Sequence, residues 1–393
     1  VINDFKLRAS YGVAGNNLIP NYATQGLLGI SRTVSNGQVV SGLVPSSLAN
    51  DQLTWEQSVQ TNLGFDISLF RSRLSVTFDA YRAIKQNLLL NVTLPAASGF
   101  NSSVQNIGEI ENKGLELTVN SQNIMKGPFQ WSTDFNISWN RNKVLALNSA
   151  SSRIATSDYQ VAQVGYPIAS FRLLQILGIF QTQDEISKSP IQNPRVQPGD
   201  YRFFDADGNG VINTSDKTIV GNPWPKFTWG LGNRFSYRNL SLSISLNGSY
   251  GNQIYFQGGE VNMAGSGVQN QLAPIADRWR SPENPGAGLY ARAIRNDYAF
   301  SVSPGTTRYL FDGSYTRIRD VNLAYTFPAS TLGKWKLQAL SVYADITNLY
   351  TFTNYPSYDP EGSTSGDNLA KSGVDFYSYP NPRTYTVGLR VTF

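Results

Sequence analysis

The stretch WEQSVQTNLGFDISL, residues 55–69, alternates between two kinds of side chain. One row is rich in large apolar groups and consists of Trp55, Gln57, Val59, Thr61, Leu63, Phe65, Ile67 and Leu69. The intervening row, from Glu56 to Ser68, contains no apolar side chain. Successive side chains of a β-strand point to opposite faces of the sheet. The stretch therefore predicts a strand with one apolar and one polar face.

The same period of two recurs along the chain. Phe129 to Asn140, Leu240 to Asn247 and Thr384 to Phe393 repeat it clearly. Weaker versions occupy Phe5 to Val13, Leu74 to Ala83, Leu115 to Ser121, Phe227 to Tyr237, Thr316 to Phe327 and Leu340 to Tyr350. The sequence therefore predicts ten strands.

The connections between these strands alternate in length. Short turns are predicted at residues 71–73, 122–128, 238–239 and 328–335. Long connections are predicted at residues 14–54, 84–114, 141–226, 251–315 and 351–383. Short turns at one end and long loops at the other are typical of outer-membrane barrels, whose apolar face meets lipid. We predict an all-β fold, an antiparallel transmembrane β-barrel with long extracellular loops. A soluble β-sandwich is the alternative.

The composition excludes several classes of function. The chain has no Cys and no His, which leaves only hard cations with oxygen ligands for any metal site. The net charge of +5 forms no basic stripe, so we expect no nucleic-acid partner. No enzyme is predicted, because no carboxylate pair is spaced like a catalytic acid and base. The first residues, VINDFKLRASYG, do not have the pattern of a signal segment, and because the chain opens on a strand we expect a neighbouring strand upstream.

Residues 205–216, DADGNGVINTSD, have the spacing of a calcium-binding loop. The candidate ligands are Asp205, Asp207, Asn209, the Val211 carbonyl, Asn213 and Asp216. Gly210 stands at the position of the sharp turn, and Asp216 stands where Glu is usual. We expect a calcium ion that links this long connection in place of a hydrophobic core. The alternative is a turn held by its own Asx hydrogen bonds.

Aromatic residues follow two patterns. A first group near the strand ends indicates an interfacial girdle and consists of Trp55, Trp131, Trp139 and Phe393. A second group in the last long connection provides candidates for contact with a substrate or a lid protein: Phe352, Tyr355, Tyr358, Phe376, Tyr377 and Tyr379. Such rings stack on sugars and on peptide side chains. Packing within the loop is the alternative for each of them.

Eight motifs occur in order along nearly the whole chain. They are LRASYGVAGN (residues 7–16), GEIENKGLELTVN (108–120), GDYRFFDADGNGVINTSDKTIVGNPWPKFTWG (199–230), NGSYGNQIY (247–255), DRWRSPENP (277–285), SYTRIRDVNLAYTFP (314–328), ITNLYTFTNYPSYDPE (346–361) and YTVGLRVTF (385–393). Together they resemble successive landmarks of the SusC/RagA class of TonB-dependent outer-membrane transporters.

The resemblance implies that residues 1–393 are the C-terminal portion of a 22-stranded barrel in the bacterial outer membrane, about its last ten strands. Residues 199–221 would be a calcium-loop-like insertion in an extracellular loop. The plug domain, the TonB box and the earlier strands have no counterpart here. Members of the class import glycan oligomers or peptides, couple to the TonB complex and pair with a SusD-like surface lipoprotein.

Three functions compete at this point. The barrel component of a nutrient importer is the first. A secreted β-rich glycan-binding or adhesive protein with a calcium-stabilised loop is the second. An outer-membrane enzyme is the third, and the absence of His disfavours it. Behaviour in detergent separates the first two, because a barrel needs detergent or lipid to refold, whereas a sandwich is soluble without either.

Overall fold

The segments with a period of two form one antiparallel sheet. The computed structural model describes residues 1–393 apart from 18, 20, 36, 94–95, 101, 148–152, 268, 296–304, 334–336 and 367. Ten strands pair in chain order, and among the described residues no pairing joins the first to the last. They are β1 Ile2–Asn16, β2 Glu56–Leu69, β3 Leu74–Thr93, β4 Ser102–Ile124, β5 Phe129–Leu147, β6 Phe227–Tyr237, β7 Leu240–Tyr250, β8 Tyr315–Thr326, β9 Ala339–Thr353 and β10 Thr384–Thr392. The ten predicted strands are confirmed, as a partial barrel.

The register keeps the polar rows of neighbouring strands on one face. Arg8 of β1 lies opposite Gly64 of β2, which lies opposite Asp79 of β3. The guanidinium of Arg8 spans the space over this glycine and binds Asp66 at 2.9 Å and Asp79 at 2.8 Å. Charges joined in this way belong to the lumenal face of a barrel, because its outer face meets lipid.

Aromatic side chains gather at both ends of the other face. At the long-loop end they are Trp139, Phe227, Trp229, Tyr250, Tyr350 and Phe352; at the short-turn end they are Phe129, Trp131, Phe235, Tyr237 and Tyr325. On β6, residues 227–235 separate the two bands, a length within the about 9–11 residues of a transmembrane strand. Trp131 stacks on Phe235 with ring centroids 5.8 Å apart. Trp55 and Phe393 lie just outside β2 and β10 and are exposed.

One predicted connection is wrong. Residues 84–114 were expected to form a long loop, but β3 and β4 continue to pair as far as Thr93 and Ser102. The register shifts between Lys85 and Leu88 and again between Leu88 and Leu89. Such bulges break the period of two, so the alternating pattern ends while the pairing continues. The hairpin therefore extends beyond the apolar face, and its two strands reach Thr93 and Ser102.

Three long connections pack together into what we call the loop cap, the described parts of residues 153–226, 251–314 and 354–383. Its largest apolar cluster consists of Tyr159, Phe171, Leu173, Ile254, Tyr255, Phe256, Met263, Tyr290, Tyr309, Tyr355 and Val374. A second cluster consists of Leu174, Ile179, Tyr201, Phe203, Ile212, Ala264, Trp279 and Ala291. Short strands support the cap, including Ser170–Leu173, Thr218–Gly221, Gln253–Phe256 and Val374–Asp375. Most of the buried apolar side chains of the described residues therefore lie in connections.

The loop cap is fixed to the lumenal face of the sheet. Ile110 of β4 and Val144 of β5 are buried against Ala162 of the cap. The side chain of Asn142 accepts a hydrogen bond from the backbone N–H of Ile168 at 2.8 Å. The Trp224 indole donates to the carbonyl of Ile168 at 2.6 Å. The first connection of the cap therefore lies against β4 and β5.

Helices are short and lie in the connections. The α-helices of the described residues are Gln183–Ser187, Gln257–Asn262 and Ala329–Leu332. The 3-10 turns are Ala96–Ser98, Thr214–Asp216, Ala273–Asp277, Thr307–Tyr309 and Leu369–Lys371. None of the described helices has the length and the apolar character needed to cross a bilayer.

Candidate functional site

The aspartates of residues 205–216 come together in the loop cap. Asp205, Asp207 and Asp216 each place a carboxylate oxygen within 4.8 Å of the other two. The two oxygens of Asp205 accept hydrogen bonds from the N–H groups of Gly208 and Gly210, both at 2.8 Å. Both glycines have positive φ, 72° and 80°, which L side chains adopt only with strain. The glycines thus allow the chain to wind around Asp205.

Asp216 closes the loop from its far end. The carboxylate is fully buried and accepts hydrogen bonds from the N–H groups of Ala206 at 2.9 Å and Asn213 at 2.7 Å. Burial by itself raises the pKa of Asp216, but the N–H groups of Asn213, Ala206 and Asp207 outweigh it and hold the pKa below its usual range. The carboxylate therefore stays ionised.

The remaining predicted ligands also take part in the loop. The Asn209 side chain donates to Asp207 at 2.9 Å and accepts from the N–H of Val211 at 2.8 Å. Asn213 caps the turn Thr214–Asp216, with its side-chain oxygen 2.7 Å from the Ser215 nitrogen. Next to these, Ile212 is buried in the second apolar cluster. The donors are carboxylate, amide and carbonyl oxygens, the set that fits calcium.

The predicted aromatic candidates separate into buried and exposed groups. Tyr355 is buried, packs against Phe256 and donates to Asp375 at 2.7 Å. Tyr377 is half-buried and donates to Asn262 at 2.6 Å. Phe352 belongs to β9 and stacks edge-to-face on Tyr350 on the apolar face. Phe352 therefore lies in the girdle and Tyr355 in the core of the loop cap. Contact of either ring with a substrate or a lid protein stays a prediction.

Three other candidates lie at the surface of the loop cap. Tyr358, Phe376 and Tyr379 are 68%, 46% and 89% exposed. Phe376 and Tyr379 border a cavity of about 460 Å³. The other lining residues are Asp359, Glu361, Gly362, Ser363, Thr364, Ser378 and Asn381. The hydroxyls of Ser363 and Ser378 are buried here without a hydrogen-bond partner among the described residues. The cavity thus combines aromatic rings with polar and charged lining residues.

A buried arginine holds this cavity in place. Arg317 of β8 is 2% exposed and binds Asp359 and Glu361, each at 2.6 Å. Its Nε donates to Thr351 of β9 at 2.8 Å. Burial by itself raises the pKa of Asp359, but backbone N–H groups and Arg317 hold the pKa below its usual range. The last connection is therefore tied to β8 and β9 by charge.

The profile of a family described as "TonB dependent receptor-like, beta-barrel" matches residues 1–349. The chain belongs to this family. TonB-dependent receptor P3 of Formosa agariphila is 38% identical over 404 residues, which cover 100% of this chain and 40% of that receptor. TonB-dependent receptor SusC of Bacteroides thetaiotaomicron is 28% identical over 418 residues, covering 100% of this chain and 38% of SusC. This TonB-dependent receptor chain spans about two fifths of the length of these relatives.

A solved structure has the same fold. The structure titled as the RagAB peptide transporter superposes with a TM-score of 0.83 at 24% identity, covering 100% of this chain and 41% of that chain. RagAB in its "closed-closed" state gives a TM-score of 0.82 at 25% identity. The resemblance to the SusC/RagA class is confirmed, and the chain is part of an outer-membrane β-barrel.

Sequence reasoning about this receptor did not find Arg317 or a second buried network around Glu260. Glu260 accepts from the Tyr159 hydroxyl and from the N–H of Gly305, both at 2.8 Å, and from the Tyr255 hydroxyl. Burial raises the pKa of Glu260. Tyr159 lies in another connection and Gly305 lies 45 residues further along, so no local spacing indicates the whole network. For Arg317, the one signal was an arginine two residues after Tyr315 in the predicted strand.

Proposed function

We propose that this receptor barrel imports an oligomeric nutrient, a peptide or a glycan oligomer, across the outer membrane. The observation that carries the proposal is the cavity at Phe376 and Tyr379, fixed to two strands through Arg317. Exposed rings beside polar lining residues suit ligands that present both apolar faces and polar groups. The similarity to a structure titled as a peptide transporter supports the peptide alternative. With no His or Cys for a nucleophilic site, import is preferred to catalysis.

Uptake by the full-length receptor tests this proposal. Cells that produce Phe376→Ala with Tyr379→Ala should take up less fluorescent oligopeptide, or less fluorescent oligosaccharide, than cells with the unchanged receptor. Tyr166→Ala, another exposed aromatic of the loop cap, is the control and should leave uptake unchanged. The arm that responds identifies the class of substrate. Unchanged uptake of both probes by the double variant, at equal surface levels, would contradict the role of this cavity.

We also propose that the full-length receptor works with a SusD-like surface lipoprotein and the TonB complex. The exposed rings of Tyr358 and Tyr379 lie at the end of the barrel that carries the long connections, where a lid would dock. Energy coupling would use parts of the receptor outside residues 1–393. Co-purification of a surface lipoprotein with the tagged receptor tests the first partnership. Loss of uptake on deletion of TonB tests the second.

We infer in addition that residues 205–216 bind one calcium ion. Asp205, Asp207 and Asp216 would provide carboxylates, and Asn209, Asn213 and the Val211 carbonyl would complete a shell of six or seven oxygens at about 2.3–2.6 Å. The mutual closeness of the three carboxylates supports this, because a cation would offset their repulsion. The ion would act as a staple in the loop cap and take no part in a reaction.

Limited proteolysis of the full-length receptor tests the calcium proposal. Addition of a chelator should speed cleavage within the connection between β5 and β6, and calcium should reverse the effect. Asp205→Asn with Asp207→Asn should remove this calcium dependence, whereas Asp184→Asn, an exposed aspartate of the same connection, should keep it. Cleavage that is indifferent to chelator in the unchanged receptor would show that the motif is a turn held by its own hydrogen bonds.

A further inference from the structure

Three cations stand side by side on the outer, apolar face of the sheet. Arg82 of β3 lies opposite Lys113 of β4, and Lys113 lies opposite Arg141 of β5. Two residues closer to the middle of each strand, the same face carries Ala80, Leu115 and Trp139. Trp139 belongs to the aromatic band at the long-loop end. All three cationic side chains are exposed. The row therefore follows Ala80, Leu115 and Trp139 on the side of the long connections, and Ile84 is the next outward position of this face on β3.

The charge of this row is only partly neutralised by the protein. Like charges directly opposite one another destabilise a pair of strands. Glu111 binds the Nε of Arg82 at 2.5 Å. Neither Lys113 nor Arg141 forms an ion pair within the described part of the chain. Lys143 lies opposite Glu111 and adds a further positive charge. Glu109, which accepts a hydrogen bond from Gln86, is a second carboxylate nearby. Four cations with two carboxylates leave an excess of positive charge facing outward.

Arg141 is held in position by backbone groups. Its Nη1 donates to the carbonyl of Asn140 at 2.9 Å and to the carbonyl of Lys226 at 2.8 Å. Lys226 precedes β6 directly, so the contact fixes the guanidinium between β5 and β6. The second terminal nitrogen of Arg141 has no hydrogen bond within the described part of the chain. A prepositioned guanidinium loses less conformational freedom when it binds an anion.

An apolar groove adjoins the cations. It has a volume of about 830 Å³ and is lined by Thr61, Leu63, Ala80, Leu115 and Trp139, with Arg82, Lys113 and Arg141 at its border. Leu63 and Leu115 are 55% and 45% exposed. A groove of this kind suits hydrocarbon chains, and the row beside it suits an anionic group. The two halves together match an amphipathic anion.

We propose that this face is a binding site for a phosphorylated lipid of the outer leaflet, with its phosphate on Arg82, Lys113 and Arg141 and an acyl chain in the groove at Leu63 and Leu115. The proposal rests on the embedding of the barrel in the outer membrane. Arginine and lysine bind phosphate through charge-assisted hydrogen bonds. Lipid is the occupant that the position selects, because the cations border the band that meets the bilayer.

The test uses the full-length receptor extracted from outer membranes, with lipid retention measured by native mass spectrometry and titration with diphosphorylated lipid A. R82Q/K113Q/R141Q should bind this lipid about tenfold or more weakly, since each basic side chain near a membrane surface contributes on the order of a fivefold gain. The charge-matched control R71Q/K126Q/R238Q removes cations at the short-turn end and should bind like the unchanged receptor. Dephosphorylated lipid should bind all three proteins equally.

Two further variants keep the test decisive if the triple variant folds poorly. Lys113→Gln removes a side chain without an ion pair and should weaken binding about fivefold. Glu111→Gln removes the opposing carboxylate and should strengthen binding. Equal affinity of the unchanged receptor, Lys113→Gln and the triple variant for lipid A would overturn the lipid site. The site would also be wrong if inorganic phosphate or an acidic peptide displaced bound lipid A from the unchanged receptor as readily as added lipid A does.

Outer-membrane insertion is measured before extraction, on whole cells, by heat-modifiable migration of the receptor in electrophoresis. If the unchanged receptor is inserted and the variants bind lipid as it does, the lipid site alone is wrong. If the unchanged receptor is not inserted, the proposed import function fails, and the lipid site fails with it. Weaker binding by inserted variants supports the site.

Discussion

The ten strands and the loop cap bury apolar side chains in opposite ways. On the strands, large apolar groups such as Leu63 at 55% and Val387 at 78% remain exposed. In the cap, Phe171, Tyr255 and Tyr309 are completely buried although they lie in connections. The strands leave their apolar row to the hydrocarbon of the bilayer, which takes the place of a protein core. The cap lies beyond the hydrocarbon and has to build a core from its own chain.

The ion pairs of the lumenal face and those that hold the cap also differ in their exposure to water. The lumenal face carries half-exposed ion pairs such as Arg8 with Asp66. Asp359 of the cap is 5% exposed and pairs with Arg317 of β8, which is 2% exposed. A half-exposed pair contributes little, because water screens it, whereas a buried pair becomes costly when one partner is lost. The comparison therefore predicts that loss of a single charged partner destabilises the cap. On the outer face, replacement of a single apolar side chain by a charged one should destabilise the barrel.

The largest effect should follow loss of Arg317. Arg317→Ala leaves Asp359 and Glu361 without their cation and should destabilise the connection at residues 354–383 by about 3–5 kcal/mol. Hydrogen exchange should show faster exchange there, with the strands unchanged. Arg319→Ala, which removes an exposed partner 3.5 Å from Glu361, is the matched control and should have little effect. If hydrogen exchange at residues 354–383 were equally slow in both variants, the buried ion pair would stabilise the cap no more than the exposed one.

The next effect concerns the two faces of β5. Phe135 lies midway between Trp131 and Trp139 on the outer row, and Asn136 lies on the lumenal row. Phe135→Arg should destabilise the full-length barrel by about 2–4 kcal/mol, the cost of a cation near the bilayer midplane. Asn136→Arg should cost much less. Unfolding of both variants in urea with lipid present measures the difference, and equal costs would mean that the faces are reversed.

A smaller effect is expected for the core of the cap. Tyr355→Phe keeps the ring but removes the donor to Asp375, whose buried carboxylate then lacks one hydrogen bond. The expected cost is about 1–3 kcal/mol of local stability. Tyr379→Phe should change stability by less than about 0.5 kcal/mol, since that ring is 89% exposed. Thermal unfolding of the cap by tyrosine fluorescence checks both, and a larger loss at Tyr379 would contradict the burial pattern.

The smallest effect is a dependence on pH. The pKa values of Asp216 and Asp359 are below their usual range in the folded cap, so their ionised forms stabilise it at pH above about 3.9, the unfolded value. This stability is lost as pH falls through the lower, folded pKa values. The cap should therefore become sensitive to an acid-active protease such as pepsin in that window, while the strands stay paired. Asp216→Asn should flatten the dependence, and a cap that loosens only above neutral pH would contradict it.

The sequence by itself predicted the strands because their signal is local. A period of two is visible wherever a strand meets lipid on one face and water on the other, and it placed all ten strands in their observed order. It failed at residues 84–114, where bulges shift the register and the hairpin leaves the apolar band. The motif of residues 205–216 likewise predicted which carboxylates meet, since its spacing fixes a short loop.

The cap was decided by tertiary structure alone. The Gln160 side chain donates to the carbonyl of Ser372, which is 212 residues away, and Arg317 meets Asp359 across 42 residues. Neither contact leaves a periodic trace, because each depends on how three connections fold onto one end of the sheet. For the same reason Tyr355 and Tyr379, both tyrosines in one connection, became a core residue and a surface residue. The sequence determined which residues face lipid, since the bilayer is a solvent that every strand meets alike; only packing decided which loop residues face a ligand.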